Sequence, residues 1–206
     1  DVIVFNEIEI DQSPETTVSD YSAWLESTKN KPLASILSEK RLAPEFAGIP
    51  AEAWLLKACE EAGIRSTLLH YESDLPEHEL LEKIESLNND AEVDGILVQL
   101  PLPKQVRETA VIHAIDPKKD VDGFHPVNQG LLMQGQPGFI PATPYGIILL
   151  LKQYGVETAG KEAVVIGRSN IVGRPMSVLL SQPGEPGNCT VTLCHSKTKN
   201  LAEHIR

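Results

Sequence analysis

The chain has 206 residues, 41% hydrophobic and 23% charged, with a formal net charge of −11. That balance suits one or two folded domains with a real core and excludes a collagen-like, low-complexity or fully disordered chain. The acidic excess argues against general nucleic-acid or anionic-membrane binding, and no apolar run approaches the ~20 residues of a membrane span.

Residues 1–11 alternate apolar and polar and predict a strand, with no basic-plus-apolar signal pattern ahead of it. A short helix is expected near Tyr21–Leu25, and residues 33–37 are a short apolar run. Pro44, Gly48 and Pro50 mark a loop; a helix follows from about Ala51 to Ala62, with Gly63 as its stop. Residues 64–71 read as a strand. Glu77–Asn88 is an amphipathic helix through Leu80, Leu81, Ile84 and Leu87. Residues 94–100 form an apolar strand closed by Pro101 and Pro103, and Val106–Ile115 a helix. Residues 116–142, rich in Pro, Gly, Asp and Asn, are expected to be a long irregular loop, which in a compact domain is usually functional or disordered. Thr143 as N-cap and Pro144 in the first turn start a helix that stops at Gly155. Residues 162–166 are a strand, 167–173 a tight turn, and Pro175 opens a helix through Leu180. Residues 189–194 are another strand, and Leu201 starts a last helix. The alternation from residue 51 onward predicts an α/β fold with a mostly parallel sheet. Three cysteines, an odd number, read as reduced thiols of a cytosol-like compartment; the Cys189/Cys194 pair has no partner cluster and gives no zinc pattern.

The strongest local signal is VVIGRSNIVGRPMSVLL, residues 164–180. Gly167 and Gly173 let the backbone turn sharply and approach a phosphate, and the helix that follows is expected to offer free N–H groups to an anion. Arg168 and Arg174 add two cations within residues 163–206, where basic residues outnumber acidic ones five to two. An ordinary βα turn or a chance charge fluctuation accounts for the same features. The next strand ends at Cys194-His195-Ser196-Lys197, where an acidic residue would favour NAD; His, Ser and Lys suit a 2′-phosphate and hence NADP. His195 also fits a structural role.

Five segments, DGILVQLPLP (94–103), KDVDGFHPVN (119–128), PATPYGIILLLK (141–152), GRSNIVGRPMSVLL (167–180) and TVTLCHSKTKNL (190–201), closely resemble the bifunctional methylenetetrahydrofolate dehydrogenase/methenyltetrahydrofolate cyclohydrolase family. The resemblance covers about Lys57–Arg206. It implies an α/β fold of two domains flanking a cleft: a folate-binding catalytic domain over 1–142, atypical in 1–56, and a Rossmann-like NADP domain over 143–206, incomplete here. It implies NADP-dependent oxidation of 5,10-methylenetetrahydrofolate and hydrolysis of the methenyl product to 10-formyltetrahydrofolate. It further implies a cytoplasmic homodimer in one-carbon metabolism and purine biosynthesis, with a folate as small-molecule partner. By motif, the family's active-site glutamine falls on Gln99, flanked by Val98 and Leu100 in the substrate site, and its pterin-anchoring aspartate on Asp122. Gly167, Arg168, Ser169 and Ile171 match the cofactor loop, Ser196 the serine near the 2′-phosphate, and Thr143 and Pro144 the turn beside the nicotinamide. No metal is implied.

The residues fit those roles. Gln99 closes an apolar strand, where α/β ligand sites gather, and its amide can hydrogen-bond a catalytic amine; a plain surface glutamine at a strand end fits as well. Asp122 can accept two N–H bonds from a pterin or simply close an Asx-turn. Two departures stand out. The family's tyrosine and acid–base lysine fall on Ala51 and Leu55, and Lys57 lies about 200° further round that helix. Lys40 is the other candidate replacement. The chain also ends at Arg206, before the family's later strands and glycine-rich closing segment, and starts at Asp1 rather than Met, as in a fragment or an altered relative. Alternatives therefore stand beside the enzyme: a non-catalytic or truncated relative that binds nucleotide or a partner without turnover, or an unrelated NADP-dependent dehydrogenase.

Overall fold

In the computed structural model the described residues are 2–8, 59–60 and 62–205. The helix expected at Tyr21–Leu25, the apolar run 33–37, and positions Lys40, Ala51, Leu55 and Lys57 lie outside them.

The first lobe is built on a three-stranded sheet. Strand β1 (Val2–Ile8) lies between β2 (Ile64–Leu69) and β3 (Gly95–Val98). It runs antiparallel to both, with Val4 opposite Thr67 on one side and Ile96 on the other. The expectation of a mostly parallel sheet is corrected here. Strands β2 and β3 do run the same way, joined through helix α1 (Glu77–Asn88) as a βαβ alternation requires. The strand between them comes from the chain's start, outside the alternating segment, and it reverses the pairing.

Helix α1 lays Leu80, Ile84 and Leu87 on the sheet, at the spacing that keeps one helical face toward the core. They meet Ile96 and Val98 of β3 and Val111 of helix α2 (Glu108–Ala114); Ile84 and Val111 are fully buried. Helix α1 has no basic residue in its last turn. Lys119 supplies the missing cation from 30 residues downstream, its Nζ donating to the carbonyls of Leu87, Asn88 and Asp90 at 2.7–2.9 Å. Asn88 ties the ends of α1 and α2 together: its Nδ2 donates to Ala114 O, and its Oδ1 accepts from Asp116 N. At the other end Arg107 donates to both carboxylate oxygens of Glu77. The guanidinium and the Arg107 N–H hold this half-buried carboxyl well below its usual range, at about 2.

The second lobe holds helices α3 (Pro126–Met133), α4 (Ala142–Gln153), α5 (Gly173–Ser181) and α6 (Leu201–His204), with strands β4 (Glu162–Ile166) and β5 (Thr190–Cys194). Strands β4 and β5 pair in parallel, Ile166 against Cys194. Leu132, Ile148, Met176, Leu179 and Leu180 form its core.

Two local expectations change. The stretch 116–142 is not loop throughout, because it contains α3. That helix starts with Pro126, and His125 caps it by accepting from Val127 N through Nδ1. Histidine is not one of the usual capping residues, so Pro126 alone marked the start in the sequence. Helix α4 begins at Ala142, one residue before Thr143; Thr143 is exposed in its first turn and makes no side-chain cap. Exposed apolar residues Tyr145, Ile147, Leu149 and Leu150 share that helix with buried Pro144 and Ile148. No helix among the described residues is long and apolar enough to cross a membrane.

Replacing Lys119 with Met leaves the last two α1 carbonyls and that of Asp90 without their cation while keeping the stem length. The expected loss is roughly 1–3 kcal/mol in a urea unfolding titration, the range for hydrogen bonds to a charged group. An unchanged midpoint would show that water replaces the ammonium at no cost.

Candidate active site

Strand β3 ends at Val98, so Gln99 is the first residue past the sheet edge. Its side chain is exposed, and Nε2 donates to Leu100 O at 2.9 Å. A second chain segment is stitched alongside. Ile96 N donates to Lys119 O at 2.7 Å, and Ile96 and Asp120 form a parallel bridge. Asp122 therefore arrives next to the end of β3. Val98, Leu100, Asp120, Asp122 and Phe124 line one small pocket with Ile96 and residues of α2.

Asp122 is half-buried there, and its carboxyl is pushed up to about 6. Burial in apolar surroundings is the larger cause, and the negative charge of Asp120 adds to it. Gly123 completes the turn at φ +66°, and a Cβ on it would stand 2.7 Å from Phe139 O. Only glycine satisfies both the left-handed backbone and the close approach. Asp120 has a different surrounding: it is 2% exposed and fully hydrogen-bonded. The sequence motif contains both aspartates, and nothing in it singled out the first. Its function shows only once the three donors around it are seen.

The turn between β4 and α5 sits at the end of the second sheet. Gly167 takes φ +120° and its N–H donates to Cys194 O, which binds the turn to the end of β5. A Cβ on Gly173 would lie 2.0 Å from Gly167 O, so the helix start and the strand end touch through backbone alone. The expectation of free N–H groups on α5 is corrected in detail. Ser169 Oγ accepts from Val172 N and Gly173 N, and Ser169 O accepts from Arg174 N. The donors of the first helical turn are thus already engaged. The N–H groups of Arg168, Ser169, Asn170 and Ile171 make no hydrogen bond among the described residues. The turn, not the helix end, holds the available donors, and a run of backbone N–H groups of this kind fits a phosphate. Arg168 is exposed beside it, and Arg174 donates to Asn170 Oδ1 at 3.0 Å. Ile171 lines a cleft of about 380 Å³ between α2, α3 and α5.

After β5 the chain turns through His195, whose N–H donates to Thr198 Oγ1 and whose Nδ1 accepts from Lys197 N. His195 is a turn residue here. Ser196 and Lys197 are exposed at its tip, on the same sheet edge as Gly167. The structure brings Val98, Leu100 and Asp122 together. It groups Gly167, Arg168, Ser169 and Ile171 in one turn, with Ser196 across the β4–β5 edge. Thr143 lies in the first turn of α4.

Residues 22–122 match the model for the tetrahydrofolate dehydrogenase/cyclohydrolase catalytic domain, and residues 141–206 that for its NAD(P)-binding domain. The first match begins at residue 22, so the likeness reaches further back than Lys57. A bifunctional protein FolD from Azobacteroides pseudotrichonymphae is 59% identical over 149 residues, 72% of this chain and 51% of that protein. The chain spans about half the length of the curated relatives it matches. A crystal structure of the bifunctional enzyme FolD, a methylenetetrahydrofolate dehydrogenase/cyclohydrolase from Campylobacter jejuni, aligns at 39% identity and a TM-score of 0.69, covering 91% of this chain and 64% of that one. A Trypanosoma brucei FolD, complexed with NADP cofactor and inhibitor, aligns at 26% identity and a TM-score of 0.68, covering 89% and 66%.

A carboxyl raised to about 6 binds more protons in the folded than in the unfolded chain between its ordinary value and 6. Stability conferred by its neutral form is therefore present at low pH and lost as pH rises through that window. Asp122→Asn is expected to be more stable than the parent at pH 8, by on the order of 1 kcal/mol. The two should converge below pH 4. Thermal unfolding at both pH values checks this, and a variant less stable at pH 8 would contradict it.

Proposed function

The chain belongs to the tetrahydrofolate dehydrogenase/cyclohydrolase family, and on that premise we propose that it serves the NADP-dependent oxidation of 5,10-methylenetetrahydrofolate to 5,10-methenyltetrahydrofolate and the hydrolysis of that product to 10-formyltetrahydrofolate. The observation that carries the reading is the Asp122 carboxyl, half-buried beside the end of β3 in a pocket with Val98 and Leu100. A carboxylate held at a strand end in this way accepts paired N–H bonds from a pterin ring that lies outside the small apolar pocket.

Residues 1–142 form the folate-binding and catalytic part in this reading, and 143–206 the NADP-binding part. The open N–H groups of Arg168–Ile171, with the Arg168 guanidinium, hold the cofactor's phosphates, and Ser196 and Lys197 meet the ribose 2′-phosphate. Thr143, in the first turn of α4, faces the nicotinamide end. The cofactor, when bound, supplies the hydride acceptor. Gln99 turns its amide from Leu100 O toward the amine that handles the proton in hydrolysis, fixing that amine's position. Leu55 stands where the family lysine is expected, so hydrolysis in this chain depends on Lys57 or Lys40. A homodimer in the cytoplasm, feeding one-carbon units to purine synthesis, completes the proposal.

The test is an absorbance assay with methylenetetrahydrofolate and NADP that follows methenyl product and then its disappearance. Both phases should appear, and Asp122→Ala should raise the KM for the folate at least tenfold, the usual consequence of losing a charge-assisted pair. Methenyl product that persists as long as in buffer would remove the hydrolase half and leave the dehydrogenase. NADP binding without turnover would favour a scaffold that binds nucleotide without chemistry.

A further inference from the structure

Asp120 is a carboxylate in a place where carboxylates are rare. It is 2% exposed, and among the described residues three donors meet its oxygens. Oδ2 accepts from His125 N at 2.8 Å and from Asn128 Nδ2 at 2.7 Å; Oδ1 accepts from Phe124 N at 3.2 Å. Among the described residues no lysine or arginine is a partner, and three neutral donors hold this buried negative charge. Asn128, itself 3% exposed, also donates to Pro117 O, and closes the segment from both sides of Asp120. The Asp120 backbone is bridged to Ile96, three residues before Gln99. Asp122 stands two residues on, between this anchor and Gly123, which is itself fixed by its approach to Phe139 O.

None of these bonds is the contact two residues on that makes an Asx-turn. Those to His125 and Asn128 reach into the start of α3, so the carboxylate organises the whole segment 120–128. We infer that Asp120 is a positioning residue: its carboxylate gathers Phe124, His125 and Asn128 so that the turn holding Asp122 is fixed against the end of the Gln99 strand. This inference rests on the reading of Asp122 as the folate anchor. The groups facing Asp122 from β3 and α2 are apolar (Ile96, Val98, Val111, Ile112), and Asp120 is the charged group beside it in the pocket. Asp120 therefore acts on Asp122 in two ways. Its hydrogen bonds set where the second carboxylate stands, and its charge sets how readily that carboxylate ionises.

The two actions separate experimentally. Binding of 5,10-methenyltetrahydrofolate to the full chain would be measured from pH 5 to pH 8, for the parent, Asp120→Asn, Asn128→Ala and Asp122→Asn. The parent should lose affinity as pH falls through about 6, where Asp122 takes up its proton. Asp120→Asn keeps the shape and removes the charge. Its affinity at pH 8 should fall by about tenfold, as for a misplaced binding group, and its acid midpoint should move down, toward that of an ordinary carboxylate. Asn128→Ala loosens the same segment with the Asp120 charge in place, so affinity should fall while the midpoint stays. A residue that only helped the chain fold would lower the active fraction in both variants and move neither midpoint. Asp120→Asn with parental affinity and midpoint would overturn the inference. If Asp120→Asn fails to fold, Asn128→Ala with undiminished affinity would do so alone. Asp122→Asn that binds the folate as the parent does would instead overturn the reading of Asp122 itself.

Discussion

Three hydrogen bonds to one buried carboxylate organise the middle of this chain. Asp120 sits between the two lobes in sequence, and its backbone is paired with β3 while its side chain gathers the first residues of α3. A buried anion without a cation is tolerable only when donors saturate it, because the cost of leaving water is several kcal/mol. That requirement fixes the geometry of 120–128 more tightly than apolar packing would, since each donor must arrive along a lone-pair direction. Helix α3 then continues into the second lobe, where the Gln182 amide at the end of α5 donates to Leu132 O. One polar knot thus relates the pocket around Asp122 to the helix that follows the glycine turn.

That turn obeys a different constraint, close approach. Gly173 has no space for a side chain because the Gly167 carbonyl occupies it. With strand end and helix start in contact, the intervening residues Arg168–Asn170 are exposed, and their N–H groups make no hydrogen bond among the described residues. Ser169 satisfies the donors of the first helical turn and leaves those of the turn itself open. Anion sites are often ascribed to helix ends. Here the donors on offer belong to the loop before the helix, and the serine that caps the helix makes that division.

The two carboxylates of one short motif illustrate how environment divides labour. Asp120 accepts three hydrogen bonds; Asp122, two residues on, faces apolar side chains and a like charge, and its carboxyl rises to about 6. The raised value marks an arrangement that costs stability, which is common where a group is kept for binding or chemistry. The chemistry differs although the residue type, and nearly the position, is the same.

Much of this was legible in the residues. The amphipathic spacing of Leu80, Ile84 and Leu87 fixed α1, the apolar run at 162–166 fixed β4, and the order of five motifs identified the family, because periodicity and motif spacing are properties of the chain alone. What the residues alone left open depends on partners distant in sequence. The strand between β2 and β3 reverses the sheet, Lys119 caps a helix 30 positions away, and His125 starts a helix without a customary cap. Asp120 and Asp122 read alike in the string, and the three donors that meet Asp120 but not Asp122 separate them. Sequence determined which side chains are available and how each local segment folds. Tertiary structure decided which of them meet, because hydrogen-bond saturation and desolvation act between segments brought together by the fold.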